Sequence, residues 1–140
     1  MLPDEIKPTM EGVVPTSIVT CSLAGVPNTT EISQIYYVDA EHVALSHQFF
    51  NKTHRNIREN PYVTACLRDP HTWQEWIMEL QYDHSETEGP VFDEMDLKIE
   101  AIASMTGMEG IFKLRAADIY KVTSVRKSNS RALLIGQPKP

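Results

Sequence analysis

Basic charge is scarce in this chain: 13 lysines and arginines stand against 19 aspartates and glutamates, a net charge of −6 over 140 residues. A general nucleic-acid binder is usually basic, so that class is set aside. A small anionic ligand is not, because local charge decides its binding. No apolar run approaches the roughly 18 residues of a membrane span. The N-terminus, MLPDEIKPTMEG, lacks the basic start and apolar stretch of a secretory signal. Cysteine is limited to Cys21 and Cys66, far apart and outside any Cys-x-x-Cys pair, which predicts free thiols in a reducing cytosol. Together these absences predict a cytoplasmic protein with neither nucleic-acid nor membrane partner.

Catalytic signatures are also missing. The five histidines, His42, His47, His54, His71 and His84, have no metal-ligand spacing, so no metal site is expected. His54 and Arg58, four apart, read as a solvated helix face. There is no Gly-x-Ser-x-Gly elbow and no glycine-rich phosphate loop. The acidic series Glu86, Glu88, Asp93, Glu94 and Asp96 reads as the solvated side of a helix. Trp73, Trp76 and Tyr82 read as core or as a dimer contact. No catalytic residue is assigned.

What is present is a patterned chain, 41% hydrophobic, of a size that buries roughly two thirds of its unfolded surface as one domain. Residues 1–12 carry two prolines and read as a loose lead-in. Residues 13–125 form the folded domain, and 126–140 a basic, frayed tail. Strands are predicted over Val13–Leu23, Thr29–Val38, His42–Phe50, Tyr62–Arg68 and Trp73–Tyr82, with final strands at Gly110–Leu114 and Ala117–Val125. The first three, joined by short turns, predict an antiparallel meander. In Pro90–Thr106 the apolar residues Val91, Phe92, Met95, Ile99, Ile102 and Met105 recur at threes and fours, a helical stripe. Six or so short strands, one long helix and one short helix predict a mainly β fold. The expected architecture is a six-stranded antiparallel split β-barrel of Greek-key type.

The segment HVALSHQFFNKTHRNIRENP, His42–Pro61, carries the most chemistry. It alternates as a strand, turns at Asn51, and continues as a short helix that stops at Asn60–Pro61. Lys52 and Thr53 then stand where a helix dipole and free amides favour a phosphate. The plain alternative is a basic helix cap on a solvated surface. A polar series on consecutive strands, Ser33, Gln34, Ser46 and Gln48, followed by Asn51, Lys52 and Thr53, suits a flat, phosphorylated heteroaromatic cofactor better than a metal or a polymer.

These residues resemble the pyridoxamine 5′-phosphate oxidase-like family of FMN-binding split barrels. The likeness rests on Gly25-x-Pro27, the turn at Asp39, Ser46-His47-Gln48, Asn51-Lys52-Thr53, Ile57 and Asn60–Pro61. It extends through GPVFDEMDLKIEAIASMTGMEGIFKLRAADIY. The resemblance implies a homodimer holding FMN at the subunit interface. The strand carrying Thr30, Ile32, Ser33 and Gln34 would run beside the ring and ribityl chain. Ser46 and His47 would contact the flavin, and Lys52 and Thr53 would bind its phosphate between Gln48 and Asn51. Two departures limit the transfer. Thr30 and Ile35 replace the arginine and lysine of true oxidases, and RALLIGQPKP lacks their Arg-x-His motif. The expectation is therefore an FMN-dependent oxidoreductase of unknown substrate, and not pyridoxal phosphate synthesis. A non-enzymatic flavin-binding or redox-sensing module, and a haem- or deazaflavin-binding barrel, are the alternatives.

Overall fold

The computed structural model describes residues 1–32, 34–47, 51–106 and 114–128, with the side chains of residues 47, 51–54, 102, 103 and 106 excepted. A 3₁₀ helix, Asp4–Met10, precedes β1 (Thr16–Cys21), β2 (Pro27–Ile32), β3 (Tyr36–Asp39) and β4 (His42–His47). Then follow α1 (Asn51–Glu59), β5 (Tyr62–Arg68), β6 (Glu75–Glu86), α2 (Pro90–Thr106) and β7 (Ala116–Lys127).

All seven strands form one antiparallel sheet in the order β2-β1-β5-β6-β7-β4-β3. Strands about 4.8 Å apart would put the edges of a flat sheet of this size roughly 29 Å apart. Yet the two edge strands are neighbours in sequence. Ile32 ends β2 and Tyr36 begins β3, and four residues of extended chain reach at most about 14 Å. The sheet must therefore curl until its edges face one another. Among the described residues they do not pair, so the barrel remains split along β2 and β3.

This corrects the six-stranded expectation to seven strands in an unclosed sheet. The segment Thr29–Val38, read as one strand, is two. Its first part pairs with β1 and its second with β4, so the expected meander is a pair of hairpins on opposite edges. The physical mark is a change of phase: Ile32 and Ile35, three apart, both enter the barrel core, which a continuous strand of period two cannot do. Tyr62–Arg68 and Pro90–Thr106 have the bounds read from sequence. The first and fifth strands run Thr16–Cys21 and Glu75–Glu86, shifted from their expected limits. Of the strand expected at Gly110–Leu114, residues 110–113 lie outside the described residues.

Inside the barrel pack Ile18, Val43, Leu45, Val63, Leu67, Met78, Leu80, Tyr120 and Val122. The lead-in, expected to be loose, is part of this core: Leu2, Ile6 and Met10 are buried in it, Ile6 completely. Leu2 N–H also donates to Ala40 O at 2.8 Å, fastening the lead-in to the β3–β4 turn. A second cluster lies outside the sheet. There Met95 and Ile99 of α2 cover Tyr36, Ala44, Ala117 and Ile119. Trp76 is core, whereas Trp73 is exposed and holds a positive φ of 62° in the turn after β5.

Tyr36, under α2, has its phenol pushed by burial from 10.0 to about 12. The folded state thus holds this proton more tightly than the unfolded chain. Stability is fully present below pH 10 and declines as pH rises through about 12. Tyr36→Phe should flatten that alkaline limb in a set of urea denaturations from pH 9 to 12. An unchanged limb would place its origin elsewhere.

Candidate functional site

α1 is the next described element after β4, the order the sequence predicts. The helix is nine residues long, with no acidic residue in its first turn. The other helices begin differently, the 3₁₀ helix with Asp4 and Glu5 and α2 with Asp93 in their first turns. An acid at an N-terminus offsets the helix dipole, so among the described helices α1 is the one whose first turn carries no such offset. Lys52 and Thr53 occupy that first turn.

What holds α1 in place is on its opposite end and inner face. Asn56, buried, donates from Nδ2 to Thr20 Oγ1 at 3.1 Å, tying the helix to β1. Ile57 enters the barrel core. Asn60 N–H donates to Asn56 O at 2.6 Å as the helix ends, and Pro61 O accepts from Tyr82 N–H at 2.9 Å. Upstream on β4, Ser46 is 6% exposed.

The sequence-predicted residues fall into three groups. Ser46 and His47 close β4, and Asn51, Lys52 and Thr53 open α1. Thr30 and Ile32 lie on β2, the opposite edge, which α1 also contacts. Ile32 packs into the core, so what it can offer a ligand is backbone. Gln34 donates from Nε2 to Met10 O at 2.7 Å and so braces the lead-in. Ser33 and Gln48 lie outside the described residues. Among the described residues, no cluster of three or more His, Cys, Asp or Glu side chains could hold a metal ion.

One arrangement went unread. Asp118 of β7, 4% exposed, lies opposite Leu45 and accepts a 2.7 Å bond from Ser85 Oγ. With Ser85 donating to the carboxylate, the Tyr82 hydroxyl donates to Ser85 Oγ. Tyr82 also meets Tyr120 edge-on, with ring centroids 5.6 Å apart. Burial first, then Asp118 and Tyr82, push the Tyr120 phenol above its ordinary range. In this chain of polar groups Asp118 and Tyr120 are buried, Tyr82 is half-buried and Ser85 is exposed. Its members are 33 residues apart in sequence and meet through the β6–β7 register alone. Nearby, the ring nitrogens of His84 face two carboxylates, which accept from the protonated ring, and these bonds raise its pKa, the one to Glu86 more than the one to Asp83.

On the outer face of β5, burial pushes the Cys66 thiol up, and Glu75 and Glu79 add to it. The thiolate is the reactive form. Cys66 should therefore react with an aromatic disulfide reagent at pH 8 more slowly than free cysteine, and Glu79→Gln should quicken it. A rate equal to that of free cysteine would contradict this.

No protein-family model matches the chain, and no curated protein does. Solved structures do. An FMN-binding protein from Syntrophomonas wolfei subsp. wolfei superposes with a TM-score of 0.70 at 13% identity, covering 83% of this chain and 78% of its own. HupZ from Group A Streptococcus gives 0.69 at 18%, covering 93% of this chain and 96% of its own. A putative pyridoxamine 5′-phosphate oxidase from Lactobacillus delbrueckii gives 0.60 at 11% identity, covering 89% of this chain and 93% of its own. An F420 reductase matches at 0.63 with 14% identity, over 89% of this chain and 98% of its own. HutZ, a haem storage protein from Vibrio cholerae, matches at 0.55 with 15%, over 89% and 93%. The chain has the split-barrel fold of FMN-binding and pyridoxamine 5′-phosphate oxidase-related proteins.

Proposed function

We propose that this split barrel binds FMN and serves as an oxidoreductase whose substrate is not pyridoxamine phosphate. The observation that carries the reading is the acid-free first turn of α1, which contains Lys52 and Thr53. A phosphate there gains free amides, a dipole and an ammonium group. Lys52, Thr53 and Asn51 would hold the phosphate. Ser46, His47 and the β2 segment from Thr30 would flank the ring system, with Ser33, Gln34 and Gln48 beside them. FMN, when bound, supplies the electron transfer; the protein's part is to bind and orient it. Fold likeness supports the cofactor reading and does not carry the reaction.

A second copy of the chain completes the cleft in this reading. Free Cys21 and Cys66 suit a cytoplasmic setting, and no helix among the described residues is long and apolar enough to cross a membrane.

A second cofactor reading, haem or a deazaflavin, is favoured by the HutZ and F420 reductase likenesses. One visible spectrum of the protein as purified separates the readings, followed by FMN titration with fluorescence quenching if the protein is colourless. Flavin bands near roughly 375 and 450 nm, lost to the filtrate on denaturation, support FMN. A Soret band supports haem. No quenching at excess FMN removes the leading reading. Stopped-flow mixing with NADH or NADPH then distinguishes an enzyme, which turns over with an acceptor, from a sensor that is reduced without turnover.

A further inference from the structure

A groove of about 390 Å³ is lined by residues of the 3₁₀ helix, β3 and α2. That volume falls within the range of small-ligand sites. Four of its residues form two matching pairs. Lys7 Nζ lies 4.8 Å from the centre of the Tyr37 ring, and Lys98 Nζ lies 5.2 Å from that of Tyr36. The two tyrosines are consecutive on β3, so their side chains leave opposite faces of the strand. Each helix thus brings one ammonium group to the groove, and a ring holds it there.

Neither lysine is committed to its present partner. Lys7 pairs with Asp4 at 3.0 Å and Lys98 with Glu94 at 3.6 Å, and these acids are 93% and 70% exposed. Ion pairs this exposed contribute little, so a ligand anion can take their place. Apolar lining comes from both helices, Met10 from one and Val91 and Met95 from the other. Thioethers adapt to irregular shapes and make favourable contacts with aromatic rings. Charge narrows the class further. Glu11 and Glu94 also line the groove, so two acids face the two cations. They repel a polyphosphate, whereas a single carboxylate can be shared between the lysines.

We propose that this groove binds a planar aromatic ligand bearing one carboxylate, which Lys7 and Lys98 hold while Met10 and Val91 cover the ring. Binding here calls on neither Lys52 nor Thr53, so it stands or falls apart from the flavin reading. The test is methyl NMR on the full chain, labelled at methionine and titrated with naphthalene carboxylate. Met10 and Met95 report from the groove, and Met78, wholly buried in the barrel, is the internal control. The ligand should shift the Met10 and Met95 methyls and leave Met78 in place. The neutral carboxamide should bind the wild type about tenfold more weakly, the effect of losing charge-assisted contacts. Lys7→Gln combined with Lys98→Gln should weaken the carboxylate by about tenfold or more. Both lysines are half-exposed, so that variant should keep its fold, which an unmoved Met78 signal verifies. The comparison of acid with amide needs no variant at all. Equal affinity for the two, an unchanged affinity in the double variant, or shifts that miss Met10 and Met95 would each overturn the proposal. So would tighter binding of tripolyphosphate at the same methyls.

Discussion

Ile6→Ala is expected to lower stability by about 2–5 kcal/mol, the range for truncating a buried aliphatic side chain. The residue lies in what reads as a dispensable lead-in. Its side chain is wholly buried, and Leu2 and Met10 enter the same core. The surrounding groups are strands of a curled sheet, which collapse poorly onto a cavity, so the loss should fall in the upper half of that range. Urea denaturation monitored by tryptophan fluorescence reads it directly, because Trp76 belongs to the same cluster. A loss below about 1 kcal/mol, the level of ordinary surface changes, would mean that the helix contributes little to the barrel. Removal of residues 1–12 should be worse than the point change, since it also strips the 2.7 Å bond from Gln34.

Lys52→Ala should weaken FMN by roughly 10- to 150-fold, corresponding to about 1.5–3 kcal/mol for a charge-assisted bond. Riboflavin, which lacks the phosphate, should bind the variant and the wild type alike. Paired titrations with the two ligands decide it. An equal loss for both ligands would mean that Lys52 supports the barrel end instead of the phosphate. No loss for either would send the phosphate elsewhere. The variant should fold normally, because α1 is anchored by Asn56 and Ile57, several residues away.

Local chemistry made much of this architecture legible. The proline at 61 stops α1, and the spacing of threes and fours through Val91, Met95 and Ile99 marks α2; both boundaries hold. The helix start near Asn51 was legible for the same reason, since capping is short-range. Three features were not. Leu2, Ile6 and Met10 are spaced by four, yet Pro3 and Pro8 mask the pattern, because the segment folds as a 3₁₀ helix that contains Pro8. The division of Thr29–Val38 was hidden because residues on both sides of the break favour strands equally. What separates them is pairing with different partners, which is long-range. The Tyr82–Ser85–Asp118 chain is long-range in the same way, being assembled by strand register and not by spacing.

The link between Ile32 and Tyr36 gives the split an adjustable width. Among the described residues no strand pairing joins β2 to β3 across the gap, so the length of the intervening chain is the ruler. Each residue inserted there would let the lips part by up to about 3.4 Å, and each deletion would draw them together by as much. Two proteins of this architecture could thus admit ligands of different girth while keeping every strand pair intact. An engineer seeking to change what enters the barrel would begin by counting residues at this link, before altering any side chain that lines it.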